Sequence, residues 1–316
     1  MKIAATENYL CRIIKALGYE SNLVGIPESF EVQNNEENEE QIDNQNEIQI
    51  IAQNRNSDNK LNKHNKLLSL PLSIENDILF NNLNKTNCDA LFVAVKEKNS
   101  KEVKESISYI RSIINFKKDI YLFEYNSVKK ILDSINEIGE LLGRKSQAMQ
   151  IVKRNEGQLK SLTDGFYERI KNKRVLVLKS IEPLECYGMW VNDLISNVCA
   201  KNVITEPNNI GKEISWDEIR ELNPHTIIIA PKNCTLDESL KTFKILEKLP
   251  MWDELPAVIR TEVYFCNGFS FQDPLRAITE GSIYLVSCIA GLNPGDITKR
   301  DSYRRLRWVE LMRHKL

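Results

Sequence analysis

The sequence predicts an α/β protein with two parallel-sheet lobes joined by a long backbone helix. Three observations lead to this prediction. Strand-like and helix-like segments alternate in the first half of the chain and again in the second half, a pattern typical of parallel sheets covered by helices. A long, largely polar helical segment at 145–172 lies between the two halves. The 316 residues, 42% of them hydrophobic, suffice for one large core or two medium-sized cores.

The N-terminal lobe is predicted to span 1–142 and begins with a β-α-β unit. Residues 1–5 form a strand, a helix follows over 7–17 with apolar residues at helical spacing, and 22–26 form a second strand. Such a unit implies parallel strands and places a ligand edge at their carboxyl ends. Further strands are predicted at 90–95 and 119–123, and further helices at 101–115 and 127–142.

The composition changes between residues 32 and 65, where Asn, Glu, Gln, Asp and Lys predominate. Such a segment cannot bury enough apolar surface to offset the entropy lost on ordering. We therefore interpret it as a disordered insertion. Recruitment of partners by this insertion is the alternative hypothesis.

A connecting helix is predicted at 143–173 because this part of the chain is rich in charges and lacks proline. The C-terminal lobe, 174–316, repeats the alternation of strands and helices. Ser215 and Glu218 have capping-box spacing and mark the start of one of its helices. The other elements of this lobe are predicted as strands at 174–178, 226–230 and 263–266, helices at 191–199, 236–249 and 275–290, and loops at 182–190 and 267–274.

The charge and hydropathy of the sequence argue against two classes of partner, nucleic acids and membranes. A net charge of −1 and a pI of about 6.4 provide no basic excess for nucleic-acid phosphates. Two basic pairs, Lys299-Arg300 and Arg304-Arg305, are interpreted as solvated helix faces. No apolar run approaches the roughly 20 residues that span a bilayer, and no secretory-signal pattern is visible at the N-terminus. We therefore expect no nucleic-acid binding, no membrane insertion and a cytoplasmic location.

The cysteines support the expected cytoplasmic location, and the cysteines and histidines together bear on metal binding. The seven cysteines are odd in number and form no Cys-x-x-Cys pair, which fits reduced thiols in a cytosolic protein. The three histidines, His64, His225 and His314, are far apart in the sequence. The spacing therefore predicts no His/Cys metal site.

Aromatic and polar residues follow three predicted strands of the C-terminal lobe. Aromatic rings offer flat apolar surface, and a few polar groups can orient a ligand. Taken singly, Trp190 and Trp252 favour core packing, and Cys234 favours an inert thiol because no histidine lies nearby in the sequence. The residues with ligand-like chemistry in these loops are Glu182, Glu185, Tyr187, Gly188, Trp190, Asn233, Cys234, Phe269, Ser270, Phe271, Gln272, Asp273 and Arg276.

Several short motifs, taken in order along the chain, resemble the class III periplasmic-binding-protein superfamily. This superfamily contains the cobalamin and iron-siderophore substrate-binding proteins of ABC importers, and the chain is most similar to the branch commonly labelled cobalamin-binding protein. The motifs are Ala5-Thr6-Glu7, Ala16-Leu17-Gly18, Gly188-x-Trp190, Ser215-Trp216-x-Glu218, Leu222-x-Pro224-x-x-Ile227-Ile228, Leu249-Pro250-x-Trp252-x-x-Leu255-Pro256-Ala257-Val258 and Val263-Tyr264.

The resemblance implies a ligand cleft between the two lobes, with little hinge closure on binding. The residues carried over by position are Thr6, Glu7, Glu28, Ser29, Tyr187, Gly188, Trp190, Asn233, Cys234, Phe269, Phe271 and Arg276. Three departures concern the ligand. Met189 stands where the branch often has histidine, the loop 95–99 lacks its cysteine, and the turn glycine before Pro274 is missing.

The leading hypothesis is an intracellular, monomeric binding protein that holds a bulky metabolite, such as a corrinoid, another tetrapyrrole or an iron chelate. Cobalamin or a related corrinoid is the ligand that the resemblance suggests, and Arg276 would pair with an anionic group. One alternative is an exported substrate-binding component, which would then work with an ABC permease. Another is an enzyme on the same fold that uses Glu185 and Cys234. The leading hypothesis assigns no catalytic residue.

Overall fold

The computed structural model describes seven parts of the chain, and the predicted insertion at 32–65, Glu28 and Ser29 lie outside them. Backbone contacts divide the chain into two compact units, which are treated separately below. Unit 1 comprises 1–125 and 137–145, and unit 2 comprises 126–136 and 146–316. The described residues are 1–27, 68–70, 88–112, 116–204, 211–293, 296 and 303–311.

Unit 1 is built on a parallel five-stranded sheet, sheet A, with strand order β3-β2-β1-β4-β5. The central strands β1 and β4 are apolar, and nearly all of their residues are buried, as expected of a parallel sheet covered on both faces. The strands are β1 (Ile3–Ala5), β2 (Leu23–Pro27), β3 (Leu68–Leu70), β4 (Ala90–Val95) and β5 (Asp119–Glu124).

The helices of unit 1 follow the predicted positions. Helix α1 buries Leu10, Ile13 and Ile14, whose spacing places them on one helix face. Helix α3 spans the boundary between the two units. The helices are α1 (Asn8–Ala16), α2 (Lys101–Ser112) and α3 (Val128–Leu141), with a 3₁₀ turn at Glu20–Asn22.

Unit 2 contains a second sheet, sheet B, with strand order β12-β11-β10-β6-β7-β9 and with β8 also paired to β6. Its centre, β11-β10-β6, is parallel, whereas β7, β9 and β12 run antiparallel to their neighbours. The strands are β6 (Arg174–Ile181), β7 (Leu184–Tyr187), β8 (Lys201–Asn202), β9 (Gly211–Glu213), β10 (Thr226–Ile229), β11 (Val263–Cys266) and β12 (Tyr303–Arg305). The predicted α/β fold class with two separate sheets is confirmed, but sheet B is mixed, because only its centre is parallel.

The helices of unit 2 cover sheet B, and Trp252 is almost fully buried in the core on one of its faces. The long predicted helix is present as α4, with 26 residues. The helices are α4 (Lys145–Ile170), α5 (Met189–Asn197), α6 (Trp216–Leu222), α7 (Leu236–Lys241), α8 (Phe243–Leu246), α9 (Pro256–Ile259), α10 (Phe269–Gln272), α11 (Pro274–Arg276), α12 (Ser282–Ile289) and α13 (Trp308–Leu311), with a 3₁₀ turn at Trp252–Glu254 and a π-helical segment at Ala277–Gly281.

Helix α6 begins at the capping box that the sequence predicts. The amide of Glu218 donates to Ser215 Oγ at 3.1 Å, and the amide of Ser215 donates to Glu218 Oε2 at 2.8 Å. The two bonds satisfy backbone donors that the first turn of a helix leaves unpaired. A second capping box, formed by Thr235 and Glu238, starts α7.

The prediction of one helix over 236–249 is wrong, because the helix is interrupted at Thr242. The hydroxyl of Thr242 donates to the carbonyl oxygen of Ser239 at 2.7 Å, and the hydroxyl of Ser239 lies 2.9 Å from the carbonyl oxygen of Thr235. These short side chains bond to backbone acceptors within the helix, a pattern that weakens or bends helices. Periodicity alone does not reveal the interruption.

The two predicted loops of the C-terminal lobe contain regular structure. The segment 182–190 includes β7, which pairs antiparallel with the end of β6 and forms a hairpin. The segment 267–274 includes the short helix α10. The glycines, prolines and aromatic residues of these segments indicate loops, but strand pairing forms β7 and local packing forms α10.

The interpretation of Arg304-Arg305 as a helix face is wrong, because both residues belong to strand β12. This strand pairs antiparallel with β11, and Arg305 Nε donates to the carbonyl oxygen of Thr261. The guanidinium of Arg305 also lies 5.7 Å from the centre of the Tyr264 ring. Pairing with a distant strand fixes this segment, so local charge pattern could not identify it. Among the described residues, no helix combines the length and apolar character needed to cross a membrane.

Candidate functional site

The predicted site residues of the C-terminal lobe meet at one edge of sheet B. Strands β6, β10 and β11 are parallel, so their carboxyl ends lie at the same edge. Binding sites of open α/β sheets form outside such ends. We call the residues 187–190, 231–234 and 267–276 the carboxyl edge of sheet B.

The side chain of Tyr187 ties the three segments together. Its hydroxyl oxygen lies 3.0 Å from the carbonyl oxygen of Ala230, to which it donates, and 3.5 Å from that of Gly268. Burial raises the pKa of Tyr187 far above its ordinary range, so the hydroxyl remains a donor. Tyr187 is therefore a buried support that links the segments of the carboxyl edge.

The two outer segments approach each other very closely. A Cβ atom at Gly268 would overlap the carbonyl oxygen of Pro231, so only glycine fits there. The amide of Gly268 donates to the carbonyl oxygen of Cys234 at 2.9 Å, and the amide of Asn233 donates to Gln272 Oε1 at 2.8 Å. These bonds make 231–234 and 267–272 one rigid surface.

An aromatic cluster completes this surface. Trp190 Nε1 donates to the carbonyl oxygen of Phe271 at 2.9 Å, and the rings of Tyr187 and Phe271 lie 6.1 Å apart. Phe271 has no exposed surface, whereas Trp190 and Phe269 each keep 9% exposed. The cluster is mainly a support, and Trp190 and Phe269 are more accessible than Tyr187 and Phe271.

Gly188 and Met189 start helix α5 at this edge. Gly188 occupies the N-cap position, and Met189 has a left-handed backbone conformation with φ of 47°. Such a φ is uncommon for a residue other than glycine. The side chain of Met189 is buried, so it lies inside the protein.

Asn233 and Cys234 form the most accessible part of the carboxyl edge. Asn233 is exposed and left-handed, with φ of 57°, and Cys234 is half-buried. Burial, and then the carboxylate of Glu238, raise the pKa of the Cys234 thiol. The thiol is therefore poorly suited to act as a nucleophile at neutral pH.

The guanidinium of Arg276 already has a partner within the protein. Its Nη2 lies 3.0 Å from Glu280 Oε2, which also accepts a 3.0 Å hydrogen bond from the hydroxyl of Ser270. The Arg276 side chain is 11% exposed and that of Glu280 is 43% exposed. Asp273 Oδ1 accepts from the amide of Arg276 at 3.0 Å and so holds the first turn of this helix.

Glu185, the other residue of the enzyme hypothesis, forms an ion pair within the protein. Glu185 Oε2 lies 2.6 Å from Lys179 Nζ, and the Lys179 side chain is nearly buried. The described residues contain no group of three or more His, Cys, Asp or Glu side chains placed to hold a metal ion.

The predicted site residues of the N-terminal lobe belong to unit 1. Thr6 is buried, and its Oγ1 accepts a hydrogen bond from the amide of Ala94 at 3.1 Å. Glu7 occupies the N-cap position of α1 at the carboxyl end of β1 and is partly exposed. Burial, and then the charge of Glu7, raise the pKa of Tyr125. Thr6 thus has a structural bond, whereas Glu7 is accessible.

Glu280 is absent from the residues predicted from the sequence, and Ser270 and Gln272 were predicted only as loop residues with ligand-like chemistry. All three contact a predicted site residue or its segment. The spacing of Arg276 and Glu280, i and i+4, could have indicated their ion pair within the predicted helix. No local signal indicates the bond between Gln272 and Asn233, because the two residues are far apart in sequence.

The family model described as periplasmic binding protein matches residues 111–268, half of the chain. The chain therefore belongs to the periplasmic binding protein family. No protein of curated function matches the sequence.

Solved structures of similar fold cover nearly the whole chain. Heme-complexed IsdE of Staphylococcus aureus is 17% identical, with a TM-score of 0.65, over 91% of this chain and 98% of that one. A protein of Staphylococcus epidermidis described as a possible iron-binding (periplasmic solute-binding) protein is 18% identical, with a TM-score of 0.64 and the same coverage. The vitamin B12 binding protein BtuF of Vibrio cholerae is 13% identical, with a TM-score of 0.63, over 92% and 96%. At these identities the likeness shows the fold.

Proposed function

We propose that this chain binds a bulky metabolite, such as a corrinoid, another tetrapyrrole or an iron chelate, at the carboxyl edge of sheet B. One observation carries the proposal: the segments that follow the parallel strands β10 and β11 and the segment that follows the antiparallel strand β7 are hydrogen-bonded into a single surface with aromatic and amide groups. The printed descriptions of similar structures name heme, vitamin B12 and iron as ligands of those proteins, which supports this ligand class.

The accessible groups of the edge suggest which residues contact the ligand. The exposed parts of Trp190 and Phe269 offer apolar contact, and Asn233 offers both a donor and an acceptor. Tyr187 and Phe271 hold these groups in place. Because the surface is already fixed by its own hydrogen bonds, little side-chain entropy would be lost when a large rigid ligand binds.

The place of action forms a second part of the proposal. We infer that the protein acts inside the cell. All seven cysteines are free thiols, and Cys199 is exposed, which suits a reducing compartment. The alternative, an exported component that works with an ABC permease, is the role usual for the resembling proteins. Fractionation of the source cells, with the protein detected by antibody, distinguishes the two, and recovery outside the cytoplasm would contradict the first.

Ligand binding can be tested with native mass spectrometry of protein purified from its own source. A retained small molecule, together with stoichiometric absorbance changes on adding iron(III) protoporphyrin IX, cobalamin or a ferric siderophore, would support the proposal. A protein that retains nothing and responds to none of the three probes would contradict it.

A pair of matched variants tests the site itself. Asn233 and Asn172 are both exposed and left-handed, with φ of 57° and 63°, so Asn→Ala places similar backbone strain at each. We expect Asn233→Ala to weaken ligand binding and Asn172→Ala, before strand β6, to leave it unchanged. Equal ligand affinities of the two variants would contradict the proposal that the carboxyl edge is the binding site.

A further inference from the structure

The helix that begins at Pro274 contains a π-helical segment, Ala277–Gly281. Such segments are rare in proteins and occur frequently at functional sites. This one lies between Arg276, at the carboxyl edge of sheet B, and helix α12. It also contains Glu280, the partner of Arg276. Its geometry therefore decides where the Glu280 carboxylate lies.

A side chain from helix α4 holds the π-helical segment. The amide nitrogen Nε2 of Gln158 lies 2.6 Å from the carbonyl oxygen of Thr279, 3.3 Å from that of Ile278 and 3.1 Å from Ser282 Oγ. The Ser282 hydroxyl in turn donates to the carbonyl oxygen of Ile278 at 2.6 Å. Gln158 thus donates to backbone carbonyl groups of the π-helical segment from outside the helix.

The other side of the π-helical segment fits against the aromatic surface. A Cβ atom at Gly281 would lie 2.6 Å from the carbonyl oxygen of Ser270, so glycine permits this close approach. The same approach lets the Ser270 hydroxyl bond to Glu280 Oε2. Glu280 is consequently fixed by Ser270 and Arg276 at once.

The charges at this place are balanced. Arg276 is the cation that sequence analysis assigned to an anionic ligand group, but Glu280 neutralises it and is the more exposed of the two. A carboxylate that approached Arg276 would meet the charge of Glu280 first. The pair therefore disfavours anionic groups relative to a site with an unbalanced arginine.

We propose that Glu280 sets the charge preference of the ligand site and that Gln158 is a positioning residue that acts through it by holding the π-helical segment. The ligand class is then a bulky molecule that presents an uncharged face to Arg276 and Glu280. This inference rests on the proposed function, because it concerns the same carboxyl edge.

The test compares two probes that share one macrocycle and differ in the charge of their two propionate groups. Iron(III) protoporphyrin IX carries two carboxylates, and its dimethyl ester carries none. Affinities of both are measured by absorbance titration for the native chain, Glu280→Gln, Gln158→Leu and the double variant. We expect each single variant to shift the affinity ratio toward the diacid by about two- to fivefold, the size typical of a partly exposed charge. The double variant should shift it no further, because Gln158 acts through Glu280.

A merely structural role for Gln158 would lower stability without changing this ratio. An unchanged ratio in Glu280→Gln, or additive shifts in the double variant, would overturn the inference. Gln147→Leu is the matched control, since Gln147 is an exposed residue of the same helix. It should leave the ratio at the native value.

A measurement without ligand separates this inference from the proposed function. Hydrogen exchange of the amides in 275–284, read by mass spectrometry, should accelerate in Gln158→Leu and remain native in Gln147→Leu. Unchanged exchange in Gln158→Leu would overturn the positioning role even if both probes bind. If neither probe binds the native chain, the proposed tetrapyrrole class fails, and the exchange experiment decides on Gln158 alone.

Discussion

The indole Nε1 of Trp190 donates a 2.9 Å hydrogen bond to the carbonyl oxygen of Phe271, a residue 81 positions later in the chain. The bond joins the first turn of helix α5 to the segment that follows β11. Because Trp190 keeps 9% of its surface exposed, the same side chain fixes the edge and reaches its surface. Replacement of the Trp190 side chain should therefore affect both the stability of the protein and the binding of a ligand.

Replacement of Trp190 by phenylalanine should destabilise the protein. The change removes the donor and leaves the buried carbonyl of Phe271 unpaired, at a cost of about 1–3 kcal/mol. Urea unfolding followed by circular dichroism measures the effect. Trp216→Phe is the control, because Trp216 Nε1 donates to the carbonyl oxygen of Pro250 at an exposed position where water can replace it. Equal losses of unfolding free energy in the two variants would contradict a larger contribution from the Trp190 bond.

Two glycine-to-alanine changes should have opposite effects on the stability of the protein. Gly268→Ala forces a Cβ against the backbone of Pro231, and we expect a loss of about 1–3 kcal/mol or more. Gly157→Ala, in the exposed interior of α4 with nothing within 4 Å, should stabilise the protein by about 0.5–1 kcal/mol. Melting temperatures of both variants check the signs. A Gly268→Ala protein as stable as the native one would contradict the close approach of the two segments.

Cys234 should react slowly with alkylating agents at neutral pH. Burial and the Glu238 carboxylate raise the pKa of its thiol, so little thiolate forms. The rate of iodoacetamide labelling, resolved by peptide mass spectrometry, should rise only above the pH range of an ordinary cysteine. Glu238→Gln should lower that pH, since it removes the nearby negative charge. Fast labelling at pH 7 would instead favour the enzyme hypothesis.

Stability should fall as the pH rises above about 9. Burial raises the pKa of Cys186 from 9.0 to about 12, so the unfolded chain releases this proton in a range where the folded chain keeps it. The contribution is therefore complete below pH 9 and is lost between pH 9 and 12, by at most about 1.4 kcal/mol per pH unit for one group. Urea unfolding at several pH values measures the slope, and Cys186→Ala should make it shallower. An unchanged slope in that variant would assign the effect to other groups.

The sequence could predict the parts of the fold that depend on local pattern. The alternation of apolar strands and amphipathic helices predicted both sheets, and the spacing of Ser215 and Glu218 predicted the capping box that the structure contains. Strand β12 could not be predicted from its own residues, because its pairing partner β11 lies about 40 positions earlier. The interruption at Thr242 depends on hydroxyl bonds that compete with the helix.

The candidate site divides in a similar way. Positions at the ends of parallel strands could be assigned from topology, and Tyr187, Trp190, Asn233 and Phe271 do share one edge. The task of each side chain could not be assigned, because it depends on burial and on partners distant in sequence. Phe271, for example, is fully buried, and Arg276 is neutralised by Glu280. The assignment of ligand contacts to individual residues stays a prediction.

Strand β12 also bears on how the protein can be shortened or tagged. Residues 303–305 are the outermost strand on one side of sheet B, so a chain cut before them would expose the backbone hydrogen-bonding groups of β11. An open, apolar strand of this kind invites pairing between molecules and aggregation. Expression trials with truncated proteins should consequently keep the chain through at least residue 311, where helix α13 ends.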